Sequence, residues 1–484
     1  MSARRGWMVM AALMAGVALA QPFDTPPPVA PPRPLAIAPP AVATLDNGLR
    51  VVVARRTGLP LVTVQLLVRS GAERDPAGKG GLANLTGALL AKGTATRSAP
   101  AIAEAAEALG GTLDSGAGWD RTYVAITVAT PMVAPALALV ADVALHPRFA
   151  PAELERLRRQ SIDALNVALA EPGTLAEVAA ERAAFGAGTY GHAAGGTPAS
   201  LARIRRADVA ALHATTFRPD NATLIFAGDI SPEDAQALAR RAFGAWRRPA
   251  APLAPASLVP AQPSVKAPVV IAMGSAGQAG VAFAMPSIAR SAPDYYAGVV
   301  ANALVGAAYS SRLNQEIRIR RGLTYGVGSA LDARRAGGLF TIGAQTRNAA
   351  APELIEVTLA ELARAGAAPP PASEVEARRL SVIGSVSRRF ETTDGLAGVI
   401  AGYEAYGIDV AEVTRVIGRL DAVTPDDVQA FVRKHLPPSG LSIVVAGEAP
   451  QFIEALRARY PEVVLVPQAE VDLARSDLRR TQGP

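Results

Sequence analysis

Residues 217–229, Phe217-Arg-Pro-Asp-Asn-Ala-Thr-Leu-Ile-Phe-Ala-Gly-Asp229, return 219 residues later as Leu436-Pro-Pro-Ser-Gly-Leu-Ser-Ile-Val-Val-Ala-Gly-Glu448. In each copy a proline-bearing turn feeds a short apolar run that stops at Ala-Gly, the pattern of a strand buried on both faces. A second set of residues repeats at almost the same spacing: Glu153, Glu155, Arg158 and Ile162 recur as Glu374, Glu376, Arg379 and Ile383, 221 residues on. Each of these sets begins a charged helix. Two signals at nearly one offset indicate a duplicated domain.

The duplication divides the chain. A proline-rich stretch from Arg247 to Pro268 lies between the copies and is expected to link a first domain, 42–246, to a second, 269–466, with a polar tail over 467–484. Within the first half, Leu49 to Ala54 and Leu61 to Arg69 are β-branched runs, the first preceded by the turn Asp46-Asn47-Gly48. Pro100 to Leu109 is expected to be helical after Ser98, Tyr123 to Val128 is a strand, and Ser231-Pro232-Glu233-Asp234 opens a further helix with a capping box. Strands and helices alternate without a strict βαβ rhythm. The expected fold class is α+β, a sheet-and-helix domain made twice.

Composition bounds the function. Of 484 residues, 50% are hydrophobic and 19% charged, and 48 basic against 42 acidic residues give a formal net charge of +6, a mixed surface. No basic stripe interleaved with aromatics marks a nucleic-acid partner. Arg4 and Arg5 followed by an uncharged apolar run from Trp7 to Ala20, ending Ala18-Leu19-Ala20, are expected to be a secretory signal. The run is shorter than the about 20 residues a membrane span needs, and no other stretch approaches one. Residues 21–41 form a proline-rich spacer, and the expected location is exported, periplasmic or secreted. There is no cysteine, so no disulfide constrains the chain.

The four histidines, His146, His192, His213 and His435, include no pair spaced to ligate a metal from one helix. His213 and His435 each close a helix, where a protonated ring meets the helix dipole favourably. No G-x-S-x-G elbow points to a serine nucleophile.

The stretch Gly80-Gly-Leu-Ala-Asn-Leu-Thr-Gly-Ala-Leu-Leu-Ala-Lys-Gly-Thr94 resembles the active-site helix of the pitrilysin/insulinase-type zinc metallopeptidases, which typically reads GLAHLLEHMLFKGT. The Tyr190-Gly191-His192 loop, and Tyr309-Ser-Ser-Arg-Leu-Asn-Gln-Glu-Ile-Arg318 through Gly-Leu-Thr-Tyr325, extend the resemblance over essentially the whole chain after the spacer. In that family an H-x-x-E-H motif supplies two zinc ligands and the general base. The resemblance places those positions on Asn84, Gly87 and Ala88, and a third ligand, a glutamate in the family, near Asp163-Ala164. None of these is a usable zinc donor set, so no cofactor is expected in this chain and zinc is expected in a partner. What the resemblance keeps is an Arg and a Tyr seven residues apart, Arg318 and Tyr325, which in the family hold the substrate carbonyl and stabilise the oxyanion.

Two readings follow. In one, the chain is the non-catalytic subunit of an exported zinc-peptidase heterodimer, giving Arg318 and Tyr325 in trans to a homologous subunit with an intact zinc motif. In the other, it is a pseudoenzyme that binds peptides or assists assembly, with an edge strand near Gly111 to Gly116 receiving an extended peptide.

Overall fold

The two apolar repeats become the central strands of two six-stranded sheets. The computed structural model describes residues 37–480, so the expected signal, nearly all of the spacer and the last four residues lie outside the described residues. The first sheet holds β1 (Ala41–Thr44), β2 (Arg50–Arg55), β3 (Leu61–Val68), β4 (Leu113–Ala117), β5 (Thr122–Ala129) and β6 (Ala222–Gly228), in the order β1-β2-β6-β3-β5-β4. The second holds β7 (Val269–Ala272), β8 (Ala279–Ser287), β9 (Val327–Arg334), β10 (Gly337–Thr346), β11 (Ser442–Gly447) and β12 (Val464–Pro467), in the order β12-β7-β11-β8-β10-β9.

The duplication is visible in the pairing. β6 runs parallel to β2 and antiparallel to β3, and β11 runs parallel to β7 and antiparallel to β8. β6 and β11 are buried along their whole length. Only the outermost member differs, because β1 is antiparallel to β2 whereas β12 is parallel to β7. The fold is the duplicated α+β architecture that the repeats imply.

Helix ends follow local chemistry. Ser98 caps the helix Ala99–Ala108, and Thr424 with Asp427 forms a full capping box on the helix Pro425–His435. At Ser231 the box is incomplete: its Oγ accepts from the Asp234 N–H and donates to the Asp234 carboxylate, leaving the backbone N–H of Ser231 out. One histidine also departs from expectation. Burial lowers the pKa of His213, so its ring is neutral and lies 2.8 Å from the Ala144 carbonyl.

Each sheet is covered by a helix from the other half. The helix Pro172–Phe185 of the first half lies on β8, β10 and β11, where Leu175, Ala176 and Ala179 share a core with Ile271, Ala282, Ala284 and Val444. The helix Thr393–Tyr406 of the second half lies on β3 and β6, where Leu396, Ile400 and Ala401 pack with Val52, Leu67 and Ile225. Small residues bring the first helix unusually near its sheet. A Cβ on Gly280 would stand 2.3 Å from the Pro172 carbonyl oxygen, and one on Gly343 would stand 2.5 Å from a Glu177 carboxylate oxygen. Across the other interface, Glu404 accepts from Arg50 Nε at 2.9 Å and from the Thr223 hydroxyl at 2.9 Å, and Thr63 donates to Thr393 at 2.8 Å.

The segment Arg247 to Pro268 is tied along its length to the first half. Val259 N–H donates to Thr189 Oγ1 at 2.7 Å, Gln262 N–H to the Phe185 carbonyl at 2.9 Å and Ser264 N–H to the Ala183 carbonyl at 3.1 Å. The stretch from residue 467, expected as a polar tail, is instead docked: Leu473 and Leu478 are buried against the helix Pro172–Phe185. Its polar composition hid two apolar contacts, and the Arg182 guanidinium holds it further by donating to the Ala474 carbonyl at 2.7 Å.

A third junction is ionic. The turn between β9 and β10 inserts Arg335 against the first half, where its guanidinium donates to the carbonyls of Asp120 and Arg69 at 2.9 and 3.2 Å, and it also donates to the second-half carbonyl of Ala405 at 3.1 Å. It also stands 3.7 Å from the buried carboxylate of Glu73. Burial, only partly offset by Arg335 and the Gly71 N–H, raises the Glu73 pKa from 4.5 to about 7.

Two outcomes are expected. Gly280→Ala places a methyl against backbone that cannot retreat, and it should lower unfolding stability in urea by about 1–3 kcal/mol; a neutral effect would show that the helix can lift. For Glu73, the folded state keeps its proton over the window from 4.5 to about 7 in which the unfolded chain loses it. Its contribution to stability is therefore full at low pH, falls as pH rises through that window, and is flat above it. The difference in stability between Glu73→Gln and wild type should change by on the order of 1–3 kcal/mol between pH 5 and pH 8 in the variant's favour, and parallel pH curves would contradict the assignment.

Candidate functional site

The helix Leu82–Leu90 begins at Gly81, whose φ of +94° a residue with a side chain rarely adopts. Asp75, its side chain fully buried, caps this start by accepting from the N–H groups of Gly81 and Ala83, both at 2.8 Å. His192 approaches the same carboxylate, with Nε2 at 3.5 Å, and its Nδ1 lies 3.1 Å from the Thr189 carbonyl. The loop matched by resemblance therefore braces the entry of this helix. Neither Asp75 nor this bracing was legible in the sequence, since a cap lying six residues before the helix has no fixed spacing.

The helix runs across β4, an edge strand that among the described residues pairs only with β5. The edge expected near Gly111 to Gly116 thus exists, displaced to Leu113–Ala117. Contact is closest at Gly87: a Cβ there would stand 2.6 Å from the Gly116 carbonyl carbon and 2.8 Å from the Ala117 nitrogen. The Ser115 hydroxyl fixes the approach by donating to the Gly87 carbonyl at 2.9 Å. Asn84 aims its amide at the Ala117 carbonyl from 3.5 Å, long for a hydrogen bond.

Zinc does not fit these residues. Asn84 offers a weak amide oxygen, Gly87 and Ala88 offer nothing, and Ala164, exposed beside Asp163 on the helix Pro151–Ala170, offers a methyl group. Gly87 adds a steric reason, because a glutamate side chain at that position would begin inside the β4 backbone. Among the described residues no group of three or more His, Asp or Glu side chains is placed to hold a metal ion.

Arg318 and Tyr325 lie in the second half. Arg318 belongs to a π-helical segment, Asn314–Arg320, and a second such segment, Ala303–Ala307, stands on the other side of Tyr309. Its neighbours Arg320 and Arg321 are committed to Glu316 at 2.8 and 3.0 Å. Arg318 has no carboxylate partner among the described residues, and its guanidinium lies 4.6 Å over the Tyr309 ring. Tyr325 is 89% exposed and Tyr309 is 67% exposed.

The loop bearing Tyr325 is pinned on both sides. Before it, the Leu323 carbonyl accepts from Thr346 Oγ1 at 2.6 Å; after it, the Val327 carbonyl accepts from the Asn314 amide at 2.8 Å. Asn314 and Thr346 thus hold the loop, and Tyr309 seats Arg318; none was singled out from sequence. Among the described residues, no hydrogen bond or ion pair joins Arg318 or Tyr325 to the helix Leu82–Leu90.

Comparison with known proteins gives two family-model matches. Residues 50–197 match insulinase (peptidase family M16), and residues 203–381 match the peptidase M16 inactive domain. A protein of Mycobacterium tuberculosis described as an uncharacterized zinc protease is 30% identical over 316 residues, 64% of this chain and 71% of its own length. A similarly described protein of Mycobacterium leprae is 27% identical over 402 residues, 81% of this chain and 88% of its own. The crystal structure of a peptidase M16 inactive domain from Pseudomonas fluorescens superposes with a TM-score of 0.77 at 27% identity, covering 84% of this chain and 98% of that one. A protease from Helicobacter pylori shares the fold, with a TM-score of 0.80 at 17% identity over 85% of this chain and all of its own.

Replacing Gly87 tests the packing. Alanine raises intrinsic helix propensity by up to about 1 kcal/mol, yet the contact with β4 backbone should outweigh this. Gly87→Ala should lower the unfolding midpoint in urea, and a stabilised variant would show that the helix stands free of β4.

Proposed function

The chain belongs to the insulinase-type M16 peptidase family, and from that premise we propose that it is a non-catalytic subunit of an exported zinc metallopeptidase. The observation that carries this reading is the contrast between the two motif regions. Where a zinc site would stand, the side chains are amide, hydrogen and methyl, and a glycine is locked against β4. In the second half, a guanidinium without a carboxylate partner and an exposed phenol sit on a braced frame.

The chemistry suits a role in trans. Arg318 presents fixed charged donors to a substrate carbonyl, and Tyr325 can donate to a developing oxyanion at neutral pH without ionising. A homologous subunit with an intact zinc motif would supply the metal and the attacking water. This chain would add two donors and part of the enclosing wall around a peptide substrate. The export in this proposal rests on the apolar run within residues 1–20 of the sequence. Among the described residues no helix is long and apolar enough to cross a membrane.

A second reading has its own observation. Among the described residues β4 has an unpaired edge beside the helix Leu82–Leu90, so an extended peptide could add there without any chemistry. Turnover separates the two readings. In a purified complex of this chain with its zinc-bearing homologue, Tyr325→Phe should cut turnover by on the order of 10²–10³ if its hydroxyl is fully engaged. Arg318→Lys, which loses the fork, should also be deleterious, with complex stability unchanged. If both substitutions are silent, or the homologue alone cleaves as fast as the complex, the peptide-binding reading takes over.

A further inference from the structure

The helices Tyr295–Asn302, Ala372–Arg389 and Thr393–Tyr406 and strand β9 line a half-open cavity of about 320 Å³. Neither Arg318 nor Tyr325 lines it. Its wall carries three guanidiniums, Arg121, Arg290 and Arg389, and among the described residues none of them has an ion-pair or side-chain hydrogen-bond partner. This is unlike the arginines nearby, for Arg415 and Arg419 both engage Glu412, at 3.1 and 3.0 Å. The one carboxylate on the wall, Asp332, is committed to Arg334 at 2.7 Å.

Aromatic rings hold the cations in place. Arg290 lies 3.7 Å over the Tyr295 ring, with the rings of Tyr403 and Tyr296 at 5.5 and 5.7 Å. Tyr403 is 5% exposed, and among the described residues its hydroxyl has no hydrogen-bond partner. The remaining wall is apolar, with Val299, Leu331, Val386, Phe390 and Val399. Three guanidiniums face one cavity with no ion-pair partner among the described residues, and the Tyr403 hydroxyl on the same wall has no protein acceptor there. One anion would relieve both, and a planar carboxylate matches the guanidinium fork. The apolar wall requires that this carboxylate carry an apolar body.

We propose that this cavity binds a carboxylate attached to an apolar body, which the C-terminal residue of a peptide or a free medium-chain fatty acid would each provide. The proposal is independent of the role of Arg318 and Tyr325.

The test is calorimetric titration of the full chain with octanoate, with an acetylated tripeptide ending in leucine, with the C-terminal amide of that tripeptide, and with inorganic phosphate. Binding of octanoate alone identifies the fatty acid, binding of the tripeptide acid alone identifies a peptide terminus, and binding of both supports the shared chemistry. The amide and phosphate should bind at least about tenfold more weakly than the acid, as loss of one charge-assisted hydrogen bond implies. Arg389→Gln, at an exposed helix end, and Tyr403→Phe should each weaken the acid about tenfold without moving the thermal unfolding midpoint. Arg121→Gln serves in place of either if one fails to fold. Absence of binding by both acids, equal binding of acid and amide, equal binding of phosphate, or silence of the folded variants would overturn the proposal.

Discussion

The exchange of helices between the two halves is the constraint on which the rest of the structure depends. A six-stranded sheet has two faces to cover, and each half supplies helices for only one of its own. The second face is closed by the helix Pro172–Phe185 in one case and by Thr393–Tyr406 in the other. Side chains such as Leu175, Leu396 and Ile400 contribute on the order of 1.5–3 kcal/mol each when buried in this way. The glycines at 280 and 343 exist to let the first helix lie close, and Thr63, Thr223 and Glu404 form the polar counterpart at the second interface. With both halves fixed, the β9–β10 turn can place Arg335 among first-half carbonyls, and the C-terminal segment finds a surface to dock on.

The same packing explains why a single substitution at the positions aligned with the family's zinc ligands would not build a zinc site. In a helix with space on one face, an alanine or asparagine at a ligand position is a single substitution from a donor. Here the helix Leu82–Leu90 has settled onto β4 through Gly87 and Gly116, with Ser115 binding the Gly87 carbonyl. Arg318 and Tyr325 stand in a different setting. Asn314 and Thr346 fix their frame through backbone carbonyls, and the aromatic seat under Arg318 leaves its charge available.

Much of the fold was legible because it rests on local or repeated signals. The apolar runs at β6 and β11, the turn before β2 and the cap at Ser98 depend on residues close in sequence, and the internal repeat reported the duplication directly. What stayed hidden depends on partners far away. Nothing in the composition of the helix Pro172–Phe185 says that it serves the second sheet, because its alanines would suit either. Leu473 and Leu478 are two apolar residues in a charged stretch, too few to create a period, yet both are buried. The motif resemblance supplied candidate positions for the site, whereas the seat of Arg318, the cap at Asp75 and the cluster around Glu73 required three-dimensional neighbours. His213 shows the same limit: its place at a helix end suggested a charged ring, and burial reversed it.

The exchanged helices also set the order in which the chain can reach its final form. Arg50 meets Glu404 at a sequence separation of 354, and the helix Pro172–Phe185 must wait for β11, which is formed by residues 442–447. The first sheet is therefore complete in its strands long before its second face can be closed. During synthesis that face presents Val52, Leu67 and Ile225 to whatever is nearby. Contacts so distant along the chain slow folding and prolong this exposure. A chain built in this way commits to its native state only when nearly all of it is present, and until then it depends on remaining unfolded or on being held.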